Sequence, residues 1–243
     1  MERKTEVILI DVGNSSIKTA EVSGGEFGKT IVWKDFLSIQ NHYDMIIPFI
    51  ISSVKNLDQS VFANRKVHFL SDESLLPISL DYHTPETLGA DRIAAAVGAH
   101  DLFPDRNNLI VDLGTCMTID LIDSSGIFQG GVISPGLQMR MKSLNHFTDQ
   151  LPDISKEWLE INSSEIGKTT KECLLSGSFW AMMHEIKGVF RTLEKDFTSL
   201  NMLLTGGDAH FFESKLKAHI FAGSKIVHKG LYKIWKQQSN SNS

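Results

Sequence analysis

The chain has 243 residues, enough to bury a large core, and at roughly 100 to 200 residues per domain it reads as one large domain or two small ones. A content of 42% hydrophobic and 22% charged residues is that of a folded globular protein rather than a disordered chain. The formal charge of −5, without clustered Lys and Arg, leaves no footprint for a nucleic acid or an anionic membrane, and no apolar run reaches the roughly 18 residues of a membrane helix.

Between Met1 and Asp11 the apolar residues are too few for a signal-peptide core. The two cysteines, Cys116 and Cys173, make neither a disulfide framework nor a zinc pattern, so the expectation is a reduced, cytoplasmic protein. Residues 7–22, VILIDVGNSSIKTAEV, open the fold: an apolar run ends in Asp11, a polar turn follows with Gly13, Asn14, Ser15 and Ser16, and an alternating segment leaves with Lys18. That is strand, phosphate-sized turn, strand. A strand is predicted over 29–36 and a helix over 43–55, on an apolar stripe of Met45, Ile46, Phe49 and Ile50. Residues 66–70 read as a short strand; Tyr82, Pro85 and Gly89 then punctuate a loop before an alanine-rich helix over 92–102. The GADR stretch at 89–92 therefore lies at a helix N-terminus, where free amides and the macrodipole favour an anion.

Pro, Asp and Asn cluster at 104–108 and mark a joint. Directly after it, residues 109–122, LIVDLGTCMTIDLI, repeat the opening hairpin around Asp112, Gly114, Thr115 and Thr118. A third strand over 126–134, broken by Pro135 and Gly136, leads to a helix carrying Leu137, Met141 and Leu144, the same element order as in the first half. Residues 151–162, with Pro152 and Trp158, are irregular. Apolar residues from Leu174 to Leu193 recur at helical spacing and predict one helix over 170–193, of the kind that packs against a second subunit. A strand over 201–205 runs into Gly206, Gly207 and Asp208; a helix to 218, a short strand over 225–227, a helix from Gly230 and a disordered tail over 237–243 complete the chain. The domains are then 1–107 and 108–236.

A turn of Gly, Asn and Ser offers N–H groups and hydroxyls to phosphate oxygens, Lys18 adds positive charge, and a neighbouring carboxylate can hold Mg²⁺ through water. Asp, Asn and Gly also form ordinary hairpins, and it is the duplication, each time after an apolar strand, that points to a nucleoside triphosphate gripped from two sides. Two stretches imitate a mononucleotide P-loop. SGGEFGKT at 23–30 and NSSEIGKT at 162–169 each lack the first glycine, and the former precedes a strand. Gly167 with Thr169 and Thr170 is a helix start in which a hydroxyl caps the helix or reaches a ligand. Asp91 and Arg92 are either a charged first turn or a general base beside an anion holder, and spacing alone does not choose. TGGD at 205–208 is a helix entry capped by Asp208, or a place where a nucleoside approaches the backbone. The nine histidines show no metal-ligand spacing.

Taken together, DVGNSSIK at 11–18, Tyr82 and Pro85 before LGADR at 88–92, DLGTCMTID at 112–120, GGVISPG at 130–136, IGKTT at 166–170 and TGGDA at 205–209 resemble the type III pantothenate kinases, of the acetate kinase, sugar kinase, Hsp70 and actin superfamily. The resemblance spans almost the whole chain in order. It implies two duplicated ribonuclease-H-like α/β domains, as in actin-like ATPases, flanking a cleft, and transfer of the ATP γ-phosphate to pantothenate, the first step toward coenzyme A. It implies ATP contacts from Asp11, Val12, Gly13, Asn14, Ser15, Ser16, Ile17, Lys18 and Thr115. Pantothenate contacts would come from Tyr82, Gly89, Ala90, Asp91, Arg92 and Thr170, with Asp91 as catalytic base. Asp112 would bind a monovalent cation, K⁺ or NH₄⁺, beside the Mg²⁺ that accompanies ATP, and the enzyme would be a homodimer. Ser15 and Cys116 stand where Thr and Ala are more usual. An inactive regulatory relative, or another small-molecule kinase of the superfamily, is the alternative.

Overall fold

A computed structural model describes residues 4–156, 164–216, 220–222 and 225–241. The chain separates into two compact units, one formed by 1–105, 124–129 and 225–243, the other by 106–123 and 130–224.

The first unit is built on a sheet in the order β3-β2-β1-β5-β6, with β4 also paired to β2. β1 (Thr5–Val12) lies at its centre, antiparallel to β2 (Ile17–Ser23) and parallel to β5 (Phe49–Ser53), which is in turn parallel to β6 (Val67–Phe69). β3 (Glu26–Phe27) and β4 (Ile31–Trp33) extend the β2 side. Val7, Ile8, Leu9 and Ile10 are all buried, as a strand covered on both faces requires.

The helix expected over 43–55 is not formed. A short helix, α1 (Phe36–His42), comes earlier, with the Asp35 carboxylate accepting the Ser38 N–H at its start (2.8 Å), and residues 49–53 are strand β5. The physical reason is the brevity of the apolar run after Pro48. Four consecutive buried residues suit a central parallel strand, whereas Met45 and Ile46, assigned to the helical stripe, are exposed in a turn. Arg65 holds that turn by donating to the carbonyls of Tyr43, Asp44 and Ile47, with its guanidinium 4.0 Å from the centre of the Phe49 ring.

α2 (Ala90–Leu102) is buried along nearly its whole length, and its main partner is the last helix, α6 (Ile226–Ser241). The two helices approach so closely that a methyl group on Gly98 would strike the Ile226 carbonyl, and one on Gly230 the Ala94 carbonyl. α6 corrects two expectations. It starts at Ile226, where a strand over 225–227 was predicted, and it continues through residues 237–241, predicted as a disordered tail. The apolar face of Val227, Leu231 and Ile234 packed in the first unit gives this polar sequence its helical order.

The second unit repeats the plan in the order β12-β11-β8-β9-β10, and β7 (Ser79–Leu80) pairs with the start of β10. β8 (Asn108–Leu113) is antiparallel to β9 (Cys116–Ile122) and parallel to β11 (Asn201–Thr205), which is parallel to β12 (Ile220–Ala222). β10 (Ile127–Pro135) crosses from one unit to the other along its length. Two ribonuclease-H-like halves of the actin-like kind are thus present, each with the acidic hairpin at its centre.

α3 (Leu137–His146) and α4 (Thr170–Leu193) cover this sheet. The α4 bounds agree with the predicted 170–193, and its apolar stripe, expected to meet a second subunit, is used within the chain: Leu174, Leu175, Phe179, Met182, Met183 and Ile186 join the second core. The helix expected to end at 218 is the short α5 (Ala209–Glu213). Trp158, Asn162 and Ala218 lie outside the described residues. Among the described residues no helix is long and apolar enough to cross a membrane.

Candidate active site

In the first unit the sharp exit from β1 creates the turn. The Gly13 N–H donates to the Ser16 carbonyl (3.0 Å), which lets Asn14 and Ser15 project into solvent, and register then sets Lys18 directly across from Asp11. Burial pushes the Asp11 carboxyl up to about 6, against the opposing pull of Lys18 and with a further upward push from the negative charge of Asp91. The first acidic turn and the start of α2 are therefore close enough to feel each other's charge. Behind Lys18, His228 of α6 is almost wholly buried and hydrogen-bonds the Lys18 backbone; burial holds this imidazole down at about 4, so it is neutral.

The GADR stretch starts α2. Gly89 is the N-cap residue and the Asp91 carboxylate curls back over it: Oδ1 accepts the Arg92 N–H at 2.8 Å, and a Cβ on Gly89 would lie 2.5 Å from that same oxygen. Burial raises the Asp91 pKa, while the Arg92 N–H and guanidinium act to lower it. A carboxylate that is desolvated but ionisable is the kind of group that takes a proton from a hydroxyl. Arg92 points the other way, toward two aromatic rings, with its Cζ 5.8 Å from the Tyr82 centroid and 5.7 Å from that of Phe128. Asp11, Lys18, Tyr82, Gly89, Ala90, Asp91 and Arg92 thus belong to one unit. Phe128 and His228 join them, although no local signal in the sequence singled them out.

In the second unit Asp112 ends β8, facing Thr118 on β9 and Thr205 on β11. The turn is tighter than its counterpart: the Gly114 N–H donates to the Cys116 carbonyl (3.0 Å), leaving Thr115 exposed at the tip. Two glycine segments brace it from behind. A Cβ on Gly136 would strike the carbonyls of Gly114 and Thr115, and one on Gly206, whose φ is +94°, would strike the Leu113 carbonyl and sit 2.5 Å from Asp112 Oδ1. The group that approaches the glycines of TGGD is therefore the end of β8 itself, at Gly206, while the Cα of Gly207 faces open space. Asp208 makes no side-chain cap, contrary to the simplest reading; its N–H donates to the Leu113 carbonyl (3.0 Å) and burial raises its carboxyl pKa.

At α4 the two threonines divide. Thr169 is the N-cap, its Oγ1 accepting the Glu172 N–H (3.2 Å) while the Glu172 carboxylate accepts the Thr169 N–H (3.2 Å). Thr170, the first residue of the helix, is exposed. Asp11, near enough to Asp91 for the two carboxylates to repel, and Asp112 at the second turn are the acidic groups of the two turns that could hold a cation. No cluster of three or more His, Cys, Asp or Glu capable of holding a metal by themselves exists among the described residues.

Comparison with known proteins places this geometry. A family model described as type III pantothenate kinase matches residues 7–192. A type III pantothenate kinase of Cytophaga hutchinsonii is 42% identical over 231 residues, covering 93% of this chain and 97% of the relative. Among solved structures, a candidate Baf family transcriptional activator from Campylobacter jejuni superposes with a TM-score of 0.57 at 22% identity, over 96% of this chain and 99% of the other. MreB5 of Spiroplasma citri bound to ADP gives 0.51 at 10% identity, over 98% of each chain, a likeness of fold alone.

Proposed function

The chain belongs to the type III pantothenate kinase family, and from that premise we propose that it transfers the γ-phosphoryl group of ATP to the primary hydroxyl of pantothenate. The product, 4′-phosphopantothenate, is the first intermediate of coenzyme A biosynthesis. The observation that carries the reading is the pairing of a partly buried Asp91, in the first turn of α2, with the Asp11 turn in the same unit, a proton acceptor within electrostatic range of a phosphate-sized turn.

Residues 11–18 and Thr115 hold ATP, the first through turn amides, hydroxyls and the Lys18 charge. Tyr82, Gly89, Ala90, Arg92 and Thr170 hold pantothenate, whose only anionic group, its carboxylate, suits Arg92. That Thr169 is occupied as a cap supports Thr170 as the threonine available to a ligand. Asp91 takes the hydroxyl proton as the substrate oxygen bonds to the γ-phosphorus and the bond to the bridging oxygen of ADP breaks. Its raised pKa makes it a stronger base than an exposed carboxylate. Asp11 would hold, through water, the Mg²⁺ that accompanies ATP, which would supply charge neutralisation at the phosphates. Asp112 holds the K⁺ or NH₄⁺.

We read the enzyme as a cytoplasmic homodimer. Support for the dimer comes from the second unit, where Val132, Ile133, Met139, Phe147 and Ile166 are large apolar residues left exposed, Phe147 at 80%. The decisive experiment is ADP release from ATP in the presence and absence of pantothenate and of potassium. Turnover requiring both is expected. A folded protein that forms no product would overturn the reading in favour of an accessory role, and ATP consumption indifferent to pantothenate would point to another substrate.

A further inference from the structure

Phe128 belongs to neither the nucleotide turn nor the GADR loop, yet it is fully buried against both groups expected to meet the substrate. It stands at the start of β10, in the short 124–129 stretch that the second half of the chain contributes to the first unit. The strand there grips the segment just before Tyr82 by its main chain: the Ser79 N–H donates to the Gly126 carbonyl and the Asp81 N–H to the Phe128 carbonyl, each at 2.9 Å. Phe128 pairs with Leu80 in register, and its ring lies 6.0 Å from that of Tyr82.

Arg92 completes the group. Its Cζ is nearly equidistant from the two rings, at 5.7 and 5.8 Å, both at the outer edge of the roughly 6 Å over which a ring quadrupole attracts a cation. Each contact alone is weak at such a distance. Two rings on a side chain whose Cα is fixed in α2, and which is only 7% exposed, nonetheless restrict where the guanidinium can point. A long, flexible side chain would otherwise lose rotamer freedom each time a ligand bound, so restricting it beforehand favours binding.

We propose that Phe128 is a positioning residue for substrate recognition: with Tyr82 it forms a two-ring clip that aims the Arg92 guanidinium at the carboxylate of pantothenate. The proposal rests on the reading of Arg92 as the anion holder. It assigns to Phe128 a role that an aliphatic residue of similar volume, without a quadrupole, would not fill.

The test compares pantothenate with pantothenol, its neutral counterpart carrying a hydroxymethyl in place of the carboxylate. In Phe128→Leu, KM for pantothenate should rise about 10-fold and the preference for pantothenate over pantothenol should fall in parallel, while kcat and the KM for ATP stay within about 2-fold. Phe62→Leu, at another buried ring of the same unit, should lower the melting temperature without touching that preference. Phe128→Met supplies the same readout should the leucine variant fail to fold. Arg92→Gln separates the two ideas. If it leaves the preference intact, the reading of Arg92 is wrong. If it abolishes the preference while Phe128→Leu and Phe128→Met both retain it, Arg92 stands and the clip is overturned.

Discussion

Across the sheet from the first acidic carboxylate stands Lys18, and across from the second stands Thr118. The first turn is longer; the glycine of each turn has room for a Cβ, 3.5 Å from the Ser16 carbonyl at Gly13 and 3.6 Å from the Cys116 carbonyl at Gly114, but the second turn is also packed from behind by Gly136 and Gly206. One topology is thus built in two ways. On the proposed function, a turn that wraps a polyanion stays open while one that presents a single carboxylate is braced by its own chain, and the proposed general base, Asp91, lies with the first turn at the head of α2.

The division can be tested from the strongest effect downward. If chemistry resides in the first unit, Asp91→Asn folds, still binds ATP and loses at least about 10²-fold in kcat, read by steady-state kinetics beside nucleotide titration. Near-normal turnover would remove Asp91 from the reaction. Bracing is tested by paired glycine variants: Gly136→Ala should destabilise the protein by more than about 3 kcal/mol, by collision with two carbonyls, while Gly13→Ala should cost under about 1 kcal/mol and instead raise the KM for ATP. Equal losses of stability in the two would dissolve the distinction.

Protonation offers a third test. The carboxyl of Asp11 lies at about 6 in the folded chain against an ordinary value of 3.8, so folding favours its protonated form. The associated stability is complete below about pH 4 and is lost as pH rises through about 6, a contribution of roughly 2 to 3 kcal/mol for the ligand-free protein. Asp91, also raised, adds to the same slope. Denaturant titrations at pH 4 and pH 7 should show Asp11→Asn flattening this dependence, and an unchanged slope would refute the assignment. The smallest effect concerns the threonines. Thr169→Ala should cost about 1 kcal/mol by loss of the cap, without altering kinetics, and Thr170→Ala should raise the KM for pantothenate at an unchanged melting temperature.

Much of this was legible in the residues. Both hairpins carry local signals, an apolar run closed by Asp and a glycine turn, and α4 is announced by Gly167 with Thr169 and Thr170 and by a long 3.6-residue stripe. β5 was misread because Phe49 to Ser53 is too short for periodicity to separate strand from helix, and the start of α6 because Lys225 to Val227 imitates a strand. Phe128 had no chance of being found. Its meaning comes from pairing with Leu80, far back in the chain, and from a guanidinium in α2, neither of which leaves a trace in neighbouring sequence.

The placement of α6 bears on how the protein is made. Its residues are made after the whole of the second unit, yet they pack against α2 through Gly98 and Gly230, and His228 supports the backbone of Lys18. The unit that is begun first is therefore completed only after the other has been made. An N-terminal fragment ending near residue 105 lacks the helix that buries α2, so a ribosome that stalls early releases a chain with an exposed apolar face and a Lys18 backbone without His228 behind it, the sort of product that is prone to aggregate.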